Sequence, residues 1–244
     1  MLDQATGILA AARIVAEADS GCGTRLPVLS SQVPLVLRRT PDAVYLVGGA
    51  AGPLGGDELG LTIEVRAGAS LRVRTAAATV ALPGADGCES VFRVTATVGA
   101  GGRLEYLPEP VIVANSARHR VEVTVALAEG AALVLRDELI LGRHGERGGS
   151  CVTRLRVNYA GSPLLRHELT VSGLDEVCLG PAVLAGQRAV GSLLHVEPAW
   201  ATQDGDRPQA RHGPGVAVMP LSDLATLVTA LGPDAITLRD RLTI

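Results

Sequence analysis

Three Gly-Ala corners, Gly68-Ala69, Gly99-Ala100 and Gly130-Ala131, recur at a constant spacing of 31 residues, and each is followed within five residues by a leucine that restarts an apolar run. Glycine permits positive φ at a turn and alanine adds little bulk, so each corner lets the chain reverse and lay down a fresh strand. The segments between corners carry the period of strands with one buried face. Leu61, Ile63 and Val65 alternate with Thr62 and Glu64, and similar runs are Leu71–Val73, Val91–Val98, Arg120–Leu127 and Leu133–Leu135. The stretch Gly55–Arg143 therefore reads as a ladder of β-hairpins.

The flanking segments extend this pattern. Ala11–Ala16 is read as a strand despite its alanine content, and Val44–Val47 as an apolar strand leading into the glycine-rich loop Gly48–Gly56. That loop lacks the Gly-Lys-Ser/Thr ending of a phosphate cradle and no helical pattern follows it. Val152–Tyr159 and Leu164–Val171 form a hairpin about Gly161-Ser162-Pro163, Val183–Val196 reads as helix then strand or as two strands, and Ala201–Pro214 reads as an exposed loop. Near the end, Leu224, Leu227, Val228 and Leu231 follow Ser222-Asp223 at helical spacing and stop at Gly232-Pro233, which predicts a short amphipathic helix. The expected fold class is thus all-β with one or two short helices near the C-terminus.

Composition narrows the functional classes. With 244 residues and 47% apolar content the chain can bury a sizeable core, but aromatics make up only 2%, so Val, Leu, Ala and Ile must build it. All 22 cationic residues are arginine, yet the formal net charge is −3 and no basic run exists, which argues against a nucleic-acid partner. No apolar span is long enough for a membrane helix and no leader pattern opens the sequence, so a cytoplasmic location away from membranes is expected. The four cysteines, Cys22, Cys88, Cys151 and Cys178, are scattered without a Cys-x-x-Cys pair and read as free thiols.

Candidate chemistry is sparse. No Gly-x-Ser-x-Gly elbow is present, and the five histidines, His119, His144, His167, His195 and His212, show no metal-ligand spacing. Carboxylates are more suggestive: Asp57 lies in the glycine-rich loop, Glu105 alternates with Leu104 and Tyr106, and Asp137-Glu138 interrupt an apolar run. Adjacent strand residues point to opposite faces, so Asp137 and Glu138 cannot act as a pair. An inward acid would need arginine or a cation beside it, and Arg136 and Arg143 are near in sequence.

Gly55-Gly56-Asp57-Glu58-Leu59, then Leu61–Ala69 with its Gly-Ala corner, Leu71–Thr79, Leu104-Glu105-Tyr106-Leu107-Pro108-Glu109, and Asp137–Arg143 followed by Gly145-Glu146 together resemble the urease accessory protein family UreD, also called UreH. Order and spacing agree over about residues 35–175. The chain departs from the pattern at Arg74-Thr75-Ala76, where the family carries Thr-Thr-Gln, at Thr79–Pro83, which replaces a lysine- and tyrosine-bearing stretch, and at Tyr106, where tryptophan is common.

The resemblance implies one domain over 1–244 with stacked sheets in a helical, solenoid-like arrangement, which suits the hairpin ladder. It implies a non-catalytic maturation factor that binds apo-urease and UreF, and through UreF the GTPase UreG, with no tightly bound cofactor and nickel as a transient passenger through its interior. Oxygen ligands along such a passage would bind the ion weakly and release it. On that view Asp57, Asp137, Glu146 and Glu168 line or flank the passage, with Arg143 beside them as a partner-binding candidate. The alternative is a non-catalytic ligand-binding β-domain unrelated to urease, for which one Trp, one Phe and three Tyr provide few aromatic platforms.

Overall fold

The computed structural model describes residues 7–21, 23–201 and 207–243. Cys22, one of the cysteines read as free thiols, lies outside the described residues. The chain runs through β1 (Leu9–Ala18), β2 (Thr24–Ser31), β3 (Leu35–Arg39), β4 (Val44–Gly48), β5 (Glu58–Val65) and β6 (Ser70–Thr75). It continues with β7 (Thr79–Ala81), β8 (Glu89–Val98), β9 (Arg103–Leu107), β10 (Val111–Val113), β11 (Arg118–Leu127) and β12 (Ala132–Leu141). Then follow β13 (Ser150–Tyr159), β14 (Ser162–Ser172), α1 (Glu176–Leu179), β15 (Ala189–Val196), β16 (Arg211–Gly213), β17 (Val216–Ser222), β18 (Ala225–Gly232) and α2 (Ala235–Leu242).

These strands form two sheets that face each other. The first has the order β14-β13-β11-β8-β5-β1-β2, and the second β16-β17-β18-β15-β12-β9-β6-β4-β3, with β7 and β10 attached beside β12. The Gly-Ala corners do not make hairpins. Each carries the chain from a strand of the first sheet to one of the second, β5 to β6, β8 to β9 and β11 to β12, and the next coil lands parallel to the last. The repeat is thus a solenoid coil of two strands, and hairpins are confined to its ends, as in β1–β2, β3–β4 and β13–β14.

The corners explain their own composition. Gly68 and Gly130 take positive φ, whereas at the middle corner Gly101 does so and Gly99 does not. A Cβ on Gly99 would lie 2.7 Å from the Ala67 nitrogen, so glycine there reflects the close stacking of one corner on the next. Pro108 and Pro110 fall in the gap between β9 and β10, where proline cannot donate to a ladder and the strand breaks.

Between the sheets Leu61, Ile63, Leu104, Leu133, Leu135, Leu155 and Leu194 form the main core, which also buries the ring of Tyr106. A second layer covers the outer face of the second sheet, where Leu238 and Leu242 of α2 pack on Val228, Ala230 and Val218. No described helix is long and apolar enough to cross a membrane.

The helix expected over Ser222–Leu231 is instead strand β18, held between β15 and β17. A central strand covered on both faces carries apolar residues without period-two alternation, and in β18 those residues, interrupted by Thr226 and Thr229, match helical spacing by coincidence. The helix begins after Gly232-Pro233, where Asp234 caps it by accepting a hydrogen bond from the Thr237 N–H at 2.8 Å. Ala11–Ala16 lies within strand β1 as expected, and Val183–Val196 resolves into turns followed by β15.

Candidate functional site

Strand β12 alternates, so Leu133, Leu135, Asp137, Leu139 and Leu141 face the space between the sheets while Arg136 and Glu138 face outward. Asp137 opens into a cleft of about 380 Å³ walled by β12, β13, β14, β15, β17 and β18. Thr153 of β13, His167 of β14 and Ser192 of β15 share this cleft. Ser192 stands directly across the ladder from Asp137, and His167 projects inward because its neighbours Arg166 and Glu168 take the outer face.

The cleft is polar but underbonded. Burial pushes the Asp137 carboxyl up to about 6, and Thr153, whose hydroxyl faces it without closing a hydrogen bond of normal geometry, pulls it back only in part. Among the described residues Thr153 Oγ1 and His167 Nδ1 are buried without a hydrogen-bond partner. Burial also lowers the His167 imidazole, while burial and then the Asp137 charge raise the Tyr106 phenol and the Cys151 thiol. The result is a carboxylate, an imidazole and hydroxyls lining one space. Among the described residues no group of three or more His, Cys, Asp or Glu is placed to hold a metal ion.

Glu138, one residue on, does different work. Its side chain is wholly buried on the outer face, bridged by Arg239 of α2 at 2.6 Å and approached by Arg136 at 3.6 Å. Arg239 also forks onto Glu109 at 3.0 and 3.2 Å, so four charges tie α2 to the sheet. Arg136 therefore serves Glu138 and not Asp137.

The other residues singled out from sequence lie elsewhere. Both Asp57 oxygens accept backbone N–H groups, from Ile8 and Leu54 at 2.8 Å each, so this buried carboxylate pins its own loop to the start of β1. Arg143 and Glu146 grip each other across the turn after β12, at 2.8 and 3.0 Å, and Glu146 accepts the Arg143 backbone N–H as well. That grip holds the Glu146 carboxyl down to about 2. Glu168 ends a ladder on the outer face of the first sheet, where Glu58, Arg93, Glu122, Arg154 and Glu168 alternate in sign across successive strands. Of the five residues, only Asp137 lines the cleft. Thr153, His167 and Ser192 were not identified from sequence, because nothing in linear spacing links β13, β14 and β15 to β12.

The family model for the UreD urease accessory protein matches residues 9–243. The chain is 47% identical to urease accessory protein UreD 3 of Streptomyces griseus, over 96% of this chain and 94% of that one. It is 44% identical to urease accessory protein UreD of Streptomyces coelicolor, over 98% of this chain and 96% of that one, and 44% identical to that of a Parafrankia species, over 97% and 87%. With a match along nearly its whole length, this chain belongs to the UreD family of urease accessory proteins.

Proposed function

We propose that this protein is a non-catalytic maturation factor that binds apo-urease and UreF, reaches UreG through UreF, and lets nickel pass through its interior to the urease active site. Family membership supports the role in urease maturation. The observation that carries the interior route is the Asp137 cleft, where a carboxylate and two unpartnered buried polar atoms meet between the sheets. Oxygen and imidazole donors without a closed cage suit an ion that is bound weakly and handed on, since late first-row ions gain from nitrogen and a loose set does not trap them. Nickel is then cargo, and no resident cofactor is needed. Asp57, Arg143 and Glu146 contribute by holding the loops at one end of the coils, and Glu168 by holding the outer face.

The test is co-purification with UreF and UreG followed by nickel-dependent activation of apo-urease. Asp137→Asn keeps the shape of the side chain and removes the charge, so the complex is expected to form while activation falls at least about tenfold. Full activation by the variant would remove the interior route through this cleft. Failure of the unmodified chain to bind either partner would remove the assembly role itself.

A further inference from the structure

Helix α2 packs over β15 and β18 and covers one end of the outer face of the second sheet. At the other end of that face lie β6, β4 and β3. Leu37, Leu46 and Val73 of these strands turn into the core, so their neighbours Arg38, Tyr45 and Arg74 turn outward. The ladder then aligns the three: Arg38 stands opposite Tyr45 across β3–β4, and Tyr45 opposite Arg74 across β4–β6. Adjacent strands lie about 4.8 Å apart, so two arginines flank one tyrosine with their Cα atoms about 10 Å from each other. Arg38 is exposed, and Tyr45 and Arg74 are half-buried.

This row differs in charge from the strands beside it. Arg72 of β6 meets Glu105 at 2.9 Å, Arg103 of β9 pairs with Glu197, and Arg136 of β12 has Glu109 and Glu138 at 3.7 and 3.6 Å. Among the described residues Arg38 and Arg74 form no ion pair. Arg38 Nη1 donates at 3.2 Å to the carbonyl oxygen of Leu37, its own neighbour in the chain. Asp42 of the β3–β4 turn does not close on Arg74 either. Its carboxyl is held below the ordinary value chiefly by Thr40, whose hydroxyl donates to it at 2.8 Å, and Arg72 and Arg74 contribute least.

We infer that the Arg38–Tyr45–Arg74 row receives acidic side chains of a partner polypeptide, with carboxylates seated on the two guanidiniums and the Tyr45 hydroxyl as a further donor between them. A guanidinium forks onto both oxygens of a carboxylate and a phenol supplies one O–H, so the row presents donors suited to Asp or Glu. The surrounding charges select a protein over a nucleic acid. Asp42 and Glu105 border the row and the chain carries a net charge of −3, a field that repels a continuous polyanion but leaves room for one or two carboxylates. The inference requires a partner protein but neither nickel nor the Asp137 cleft, so it stands or falls apart from the interior route.

The full-length protein is immobilised at low density and titrated at low salt with two capped peptides, Ala-Glu-Ala-Glu-Ala and Ala-Gln-Ala-Gln-Ala. The acidic peptide is expected to bind about tenfold more tightly, and the difference to shrink to within about twofold near 0.3 M salt. Arg38→Gln combined with Arg74→Gln should reduce the low-salt preference to within about twofold while the fold, checked by circular dichroism, is kept. Arg13→Gln removes the same charge from the outer face of the first sheet and should leave the preference in place. Equal affinity for the two peptides, no saturable binding of the acidic one, a preference that survives the double substitution, or an equal loss in Arg13→Gln would overturn the inference. So would displacement of the acidic peptide by an equal concentration of inorganic phosphate, which would mark a site for free anions, or tighter binding of a single-stranded thymidine oligonucleotide, which would mark one for nucleic acid. If the double variant does not fold, the comparison of the two peptides on the unsubstituted chain decides alone.

Discussion

Asp137 and Glu138 are neighbours in the chain and opposites in the structure. Glu138 is buried against Arg239 and Arg136, whereas Asp137 is held between the sheets with no cationic side chain in its cleft. The cost appears in the Asp137 carboxyl, raised by burial to about 6 from an ordinary value of 3.8. A carboxyl whose folded value is raised binds more protons folded than unfolded, so stability falls as pH rises through the window between about 4 and 6 and stays reduced above it. Asp137→Asn is therefore expected to unfold at a higher temperature than the unsubstituted protein at pH 7.5, by up to about 3 kcal/mol, with the difference gone near pH 3.5. Thermal unfolding followed across pH checks this; a variant less stable at pH 7.5 would show that the charge is compensated. Gain in stability with loss of activation would mark Asp137 as a residue kept for function at the expense of the fold.

At the scale of elements, α2 is the part most dependent on charge. It buries Leu238 and Leu242 but exposes Ile236, and two arginines tie it to the sheet, Arg241 by donating to the Leu231 carbonyl oxygen and Arg239 through its ion pairs. Arg239→Ala leaves Glu138 buried with only the more distant Arg136 at 3.6 Å, a loss expected to cost about 3 kcal/mol. Replacing both Arg239 and Glu138 with leucine should cost less than Arg239→Ala, since no uncompensated charge remains. Denaturant unfolding of the two variants measures the difference, and equal losses would mean the ion pair is incidental. Nothing in the local pattern places α2 on Glu138, because the two residues are separated by 101 positions in the chain.

At the scale of the whole molecule, stacked parallel coils leave ends. Closure of the sheets relies on edge strands β2, β3, β14 and β16, and large apolar side chains stand exposed near the ends and loops, among them Leu9, Val33, Leu174 and Val177. Unpaired edges and exposed apolar groups template aggregation unless a partner covers them. The protein expressed alone is expected to be mostly insoluble, and co-expression with UreF to raise its soluble fraction several-fold; sedimentation of lysates with and without UreF measures this. A fully soluble monomer at high concentration would count against a covered surface.

The amino-acid sequence alone determined that the chain is all-β, that it repeats every 31 residues, and that its family motifs run in order through the coils. Those properties are local: period-two alternation, glycine at tight corners and short motifs survive being read in one dimension. Only the tertiary structure decided that the corners switch sheets so that the repeat stacks in parallel, that Ala225–Gly232 is a strand, and that Asp137 meets Thr153, His167 and Ser192 while Asp57, Arg143, Glu146 and Glu168 are occupied by nearer partners. A strand buried on both faces has no periodicity to announce it, and which strands lie side by side depends on packing between segments far apart in the chain, for which linear spacing holds no signal.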